Sequence, residues 1–160
     1  LLFALGRRGL VGQWLDRWFG LTLPFTLSGA IVAATFVALP FYVIAVEGAL
    51  RTARRELDDL EGIASTLGAP PFTVLRRITL PRLLPAMGAG LALAWARALG
   101  EFGATITFAG NLPGRTQTLP LATFLALQSE PERALALSLV MLVVALAVLL
   151  PMRDRWLPGR

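Results

Sequence analysis

The sequence predicts an all-α fold, a polytopic transmembrane helical bundle, and three observations predict it. The 160 residues are 56% hydrophobic and only 16% charged, against roughly 45–50% and about 25% in soluble domains, and mean hydropathy is +0.67. Three apolar runs, at about 27–47, 83–109 and 134–152, reach the roughly 20 helical residues that cross a hydrocarbon core of about 30 Å. The third observation is placement. All of the 15 cationic residues are Arg, and every one except Arg97 lies outside the apolar runs.

Taken in order, the chain starts at Leu1 with no initiator Met and no signal-peptide pattern. Residues 1–5 therefore read as the end of a helix that begins upstream in a longer protein. Trp14, Trp18 and Phe19 follow, either at the outer membrane interface, where amphipathic rings are favoured, or as packing within a loop. The first run is uncharged through Val46, and Pro40 inside it is expected to kink rather than abolish the helix, because neighbouring helices can satisfy the freed carbonyl. The second run is interrupted only by Arg97 and Glu101, and Gly88, Ala92, Ala96 and Gly100 recur in it at i, i+4. That small-residue spacing lets helix backbones approach closely in lipid. Met87, Leu91, Trp95 and Leu99 form the bulky ridge beside it. The third run is uncharged throughout.

Between the first two runs lies a polar segment, about 48–82, with Ala53, Leu57, Leu60, Ala64 and Leu67 at helical spacing and charged residues between them. This is an amphipathic helix, suited to docking in a partner's groove or to lying on the membrane surface. Gly68 stands where a helix C-terminal glycine belongs, and Pro70 and Pro71 prevent continuation. Arg51, Arg54, Arg55, Arg76, Arg77 and Arg82 in this segment join Arg153, Arg155 and Arg160 on one side of the membrane, against Arg7, Arg8, Arg17, Arg115 and Arg133 on the other. The positive-inside rule then puts 48–82 and the C-terminus in the cytoplasm.

With no Cys and no His, the usual zinc sites, disulfide frameworks and Ser-His-Asp or Cys-His nucleophiles cannot be built. The lack of Lys removes the Walker phosphate loop and Schiff-base chemistry. An enzyme active within the chain is therefore the least favoured class, and ATP-driven work has to use another chain's nucleotide site. The net charge of +5 is no nucleic-acid signal, because the arginines are not interleaved with aromatics on a polar face.

The spacing of the polar segment carries a resemblance. Gly68, nine residues, Ile78, one residue, then Leu80-Pro81 resembles the EAA loop of ABC importer permeases, Glu-Ala-Ala, three residues, Gly, nine residues, Ile, one residue, Leu-Pro. The first half departs: Gly62-Ile63-Ala64 occupies the Glu-Ala-Ala positions and the acidic Glu61 lies one residue earlier. The stretch from Ala96 through Arg97, Gly100, Glu101, Gly103, Thr105 and Thr107 to Pro120, and the opening Gly6-Arg7-Arg8-Gly9-Leu10-Val11-Gly12, resemble the molybdate permease subunits over essentially the whole chain. Sulfate and thiosulfate permeases share part of that pattern, and tungstate is a further alternative anion.

The resemblance implies the type I (MetI-like) ABC importer permease fold, with three of an expected five spans present. It implies a homodimer in a bacterial or archaeal cell membrane, two ABC ATPase subunits, and a periplasmic or extracellular oxyanion-binding protein. No cofactor is expected in this chain, since ATP and Mg belong to the ATPase. Coupling to the ATPase is expected from Glu61, Ala64, Leu67, Gly68, Ile78, Leu80 and Pro81, and a translocation path or gate from Arg97, Gly100, Glu101, Gly103, Thr105 and Thr107. Arg97 and Glu101, four apart on one helix, can pair, which lowers the cost of charge at membrane depth; the pair is structural, gates the path, or leaves Arg97 to contact the anion. Pro113-Gly114 reads as a turn and 115–118 as a surface strip facing the binding protein or solvent. The competing class is a membrane scaffold without transport activity, and a secondary transporter would need inverted repeats that these residues lack.

Overall fold

The computed structural model describes the backbone of residues 1–156 and their side chains except those of Arg55 and residues 152–156. Of the arginines counted for topology, Arg160 and the side chains of Arg55, Arg153 and Arg155 lie outside the described residues. The described chain is helical, without strands, and falls into two compact units. The first comprises Leu1–Ala38 and Trp95–Ala147, the second Leu39–Ala94 and the residues from Val148 on.

The first unit opens with α1 (Leu2–Leu5) and α2 (Gly12–Phe19). The glycines of 6–12 permit this reversal: a Cβ on Gly9 would fall 2.6 Å from the carbonyl oxygens of Phe3 and Ala4. Trp14, Trp18 and Phe19 all stand exposed on α2. Thr26 starts α3 (Leu27–Thr66), its hydroxyl accepting the Gly29 N–H at 3.0 Å in the manner of an N-cap. In the later part of this unit are α6 (Gly103–Ala109) and α7 (Leu119–Ser129), with Phe108, Leu121 and Thr105 fully buried. The Phe25 N–H donates to the Phe108 carbonyl at 3.2 Å.

The second unit is a helical hairpin. α3 does not stop at the end of the apolar run: it continues unbroken through Pro40 and Glu47 to Thr66, 40 residues in all. At 1.5 Å per residue that is about 60 Å, twice the hydrocarbon thickness. The amphipathic segment expected as a separate short helix is thus the distal half of the first spanning helix. No glycine-proline break intervenes before Gly68, and Glu47 with Arg51 (2.6 Å) and Arg54 with Asp58 (4.0 Å) support the exposed turns at i, i+4. The returning arm is α4 (Pro71–Val74), a π-helical turn (Leu75–Thr79) and α5 (Leu80–Leu99).

The widened turn has a local cause. Pro81 lacks an N–H, and its ring would collide with the Arg77 carbonyl four residues back in a regular α-helix. A five-residue turn, closed by the Leu80 N–H on the Leu75 carbonyl, opens that position.

Among the described residues three helices are long and apolar enough to cross a membrane: Leu27–Arg54, Pro71–Leu99 and Pro131–Pro151, the last within α8 (Pro131–Trp156). The second ends at Leu99, not at the expected 109, because the chain breaks at Gly100 and restarts as α6. The most apolar 18-residue window of Pro131–Pro151 has a mean hydropathy of 2.8 and only 6% of it is buried; Ala134, Leu137, Met141, Val144 and Ala145 form one buried or half-buried stripe, and the other faces are offered to lipid or to other apolar helices.

Candidate functional site

Two groups of residues carry the functional expectations, one in each unit. In the second unit, α3 ends in a glycine-dependent reversal. Gly68 has φ +81, a conformation that costs a residue with a Cβ roughly 1–2 kcal/mol. The Ala69 N–H donates to the Ala64 carbonyl and the Gly68 N–H to the Ser65 carbonyl, both at 3.0 Å, which satisfies two of the carbonyls left over at the helix end.

The returning arm is antiparallel to α3 and fastened to it. The Thr79 hydroxyl donates to Glu61 Oε1 at 2.5 Å, and the Arg82 guanidinium pairs with the Glu56 carboxylate. Farther along, Gly90 lies against α3 so closely that a Cβ there would stand 3.1 Å from the Ala45 Cβ and 3.3 Å from the Tyr42 ring. The close approach read from small residues at i, i+4 therefore occurs, but of that stripe only Ala92 is buried, with Gly88 and Ala96 half-buried and Gly100 exposed, and Gly90 and Ala94 are buried beside it.

This arrangement changes which apolar residues are available. Leu57, at the middle of the amphipathic face, is 3% exposed, and Ala53, Leu60 and Ala64 are half-buried. Leu57 lines a cleft of about 390 Å³ together with Glu47, Arg51, Asp58, Glu61 and Thr79. The periodic face is thus used within the hairpin, not held out to a partner. At the tip, Ile63, Leu67 and Phe72 are exposed, Leu67 at 83%. Ile78 is half-buried, while Leu80 and Pro81 are exposed.

In the first unit the expected path residues converge on the break after α5. Glu101 is 6% exposed. Its Oε2 lies 2.9 Å from Arg97 Nη1, and its Oε1 accepts the Ala104 N–H at 2.8 Å. One carboxylate thereby neutralises a cation on the helix that ends and satisfies a first-turn donor on the helix that begins. Phe102 packs edge-on against Phe124 at 5.2 Å.

Thr105 is 1% exposed, and its hydroxyl is directed at the Phe102 and Glu101 carbonyls at 2.9 and 3.2 Å. Thr107 is exposed, though its hydroxyl donates to the Gly103 carbonyl at 2.7 Å. Gly100 and Gly103 are exposed. The structure thus brings Arg97, Glu101 and Thr105 into one hydrogen-bonded break and leaves Gly100, Gly103 and Thr107 open around it. The strip at 115–118 is not all surface: Thr116 is 2% exposed because its hydroxyl accepts the Leu112 N–H at 3.1 Å and closes the turn. Among the described residues no cluster of acidic side chains could hold a metal ion.

Thr79 and Glu56 were not singled out by sequence, and Arg82 entered only as one of the topology-setting arginines. A signal was available for Thr79, which is the one unspecified residue between Ile78 and Leu80 in the loop pattern. For Glu56 and Arg82 there was none, since they lie 26 positions apart.

Known proteins give this geometry a context. The chain is 51% identical over 150 residues to the molybdenum transport system permease protein ModB of Mycobacterium tuberculosis, covering 94% of this chain and 55% of that protein. It is 42% identical over 157 residues to ModB of Escherichia coli, covering 98% and 67%. It is also 35% identical over 144 residues to a probable sulfate transport system permease protein of Nephroselmis olivacea, covering 89% and 49%. The chain thus spans about half the length of the mycobacterial relative it matches. Residues 1–157 match the family described as binding-protein-dependent transport system inner membrane component. With three helices among the described residues able to cross a membrane and a match along nearly its whole length, the chain belongs to that family, as a multi-pass membrane component of a transport system.

Proposed function

We propose that the chain is the membrane-spanning permease subunit of an ATP-driven ABC importer of molybdate. The observation that carries this reading is the 51% identity over 150 residues to a protein named for molybdenum transport. The subunit works as a homodimer with two ABC ATPase chains and an external oxyanion-binding protein, and ATP and Mg are held by the ATPase. The hairpin turn, with Leu67, Gly68 and Phe72 at its tip, faces the cytoplasm and docks on the ATPase; the C-terminus lies on the same side. Nine arginines on that side against five on the other support the orientation.

Closure of the ATPase pair moves the tip, and α3 and α5 carry the movement to the spanning segments. In the path, the Arg97–Glu101 pair acts as a hinge or gate. A carboxylate already bound to Arg97 and to the Ala104 N–H keeps that arginine from becoming a fixed trap for a dianion, which favours release. Gly100, Gly103 and Thr107 line the weak passage beside it.

Sulfate is the second reading, favoured by the 35% identity to a sulfate permease. Proteoliposomes holding the full-length permease, its ATPase and its binding protein separate the two. Uptake driven by ATP with molybdate, and not with sulfate, is the expected result; uptake of sulfate alone supports the second reading. Gly68→Asp is expected to abolish ATP-coupled uptake with the subunit still folded and inserted, and normal coupling in that variant would remove the docking role of the turn.

A further inference from the structure

The acidic residue of the loop pattern is displaced by one position in this chain, and the displacement has a geometric consequence. On an α-helix one residue is a rotation of about 100°. Position 62, where the pattern has its acid, is a glycine that faces open space: a Cβ built there meets nothing within 4 Å. Position 61 is half-buried, lines two clefts of the hairpin together with Thr79, and puts Oε1 2.5 Å from the Thr79 hydroxyl on the returning arm. An outward-facing acid has been exchanged for an inward-facing one. Glu56 and Arg82 make a second tie between the same arms, and the Gly90 contact with Ala45 and Tyr42 makes a third farther along.

We propose that Glu61 and Thr79 are positioning residues that lock the two arms of the hairpin into one lever, so that Glu61 acts within this chain and not as a contact to the ATPase. The inference rests on the permease reading above for its consequence in transport, while the lock itself is a property of the hairpin. A lever whose arms slide past each other spends ATPase closure on its own deformation. Loss of the Glu61–Thr79 bond therefore lowers the number of anions imported per ATP hydrolysed.

The experiment uses the reconstituted full-length complex and two readouts, the ratio of molybdate imported to ATP hydrolysed and amide hydrogen exchange across residues 61–82. Glu61→Leu and Thr79→Val are expected each to lower the ratio by about threefold to tenfold, and the double variant by no more than either alone, because both remove one interaction. Hairpin exchange is expected to quicken about threefold or more in the same variants. Glu61→Gln and Thr79→Ser keep an acceptor and a donor, and both restore the unsubstituted behaviour.

Adding Gly62→Glu to Glu61→Leu puts an acid back at the outward position and is expected to restore nothing. Restoration by Gly62→Glu, additive effects in the double variant, or unchanged exchange in Glu61→Leu would each overturn the lock. Absence of ATP-driven uptake in the unsubstituted complex overturns the permease reading instead, and the exchange measurement still decides the lock.

Discussion

Glu101 and Glu61 each accept a hydrogen bond from a later part of the chain, yet the two units use them differently. Glu101 reaches three residues ahead, to the Ala104 N–H, from a side chain that is almost wholly buried. Glu61 reaches eighteen residues ahead, to Thr79, from the edge of an open cleft. The first repairs a local defect, a helix break beside a buried charge, where an unpaired group is expensive. The second fastens two long elements where water could replace either partner at small cost, so its value lies in geometry. A carboxylate of one type thus serves stability in one unit and alignment in the other, and burial decides which.

The sharpest way to break that contrast is Glu101→Ala. It removes the Glu101 contact of Arg97, whose side chain is 37% exposed, and leaves the Ala104 N–H without its carboxylate acceptor, and a loss of about 2–3 kcal/mol is expected, read as a large drop in the unfolding temperature of the detergent-solubilised protein. A loss below about 1 kcal/mol would mean that the break is solvated and that Glu101 resembles Glu61 after all. Next in size is Gly90→Leu, which drives a side chain into Tyr42 and Ala45. A destabilisation of about 1–3 kcal/mol by the same measurement is expected, since the closely packed backbones must separate. The smallest effect belongs to the exposed arm of the hairpin: Arg54→Gln removes a 4.0 Å pair to Asp58 between side chains that are mostly in solvent. A change of about 0.5 kcal/mol or less is expected, and a larger one would show that the surface ion pairs of α3 form a supporting network.

Much of this was legible from residue order because lipid imposes simple rules. Apolar length marks the spanning helices, and the glycine followed by two prolines marks the reversal at Gly68, since each acts through its own backbone. The Arg97–Glu101 pair was legible from its four-residue spacing, although Glu101 lies past the end of α5 and not on the same helix as Arg97. What escaped was the second use of Glu101, because a break after Leu99 cannot be told from a continuing helix in a run of small and apolar residues interrupted only by Arg97 and Glu101. The fate of the amphipathic face escaped too. Periodicity shows that a helix has an apolar side, but Leu57 is covered by its own hairpin, and coverage is a tertiary fact. The exposed tip at Leu67 and Phe72 follows only once that hairpin is known.

The π-helical turn at Leu75–Thr79 gives the loop spacing a further meaning. A turn that takes five residues adds one to the count without adding a regular turn. If the same five residues closed as ordinary α-helix with none removed, the segment would lengthen by only about 1.5 Å, but everything after it would swing by about 100° relative to everything before. Gly90 would then point away from Tyr42, and Arg82 away from Glu56. The nine residues between Gly68 and Ile78 are therefore a measure of angle as much as of distance. A change of one in that number, with the wide turn kept, would leave the segment nearly as long and aim the helix behind it in the wrong direction.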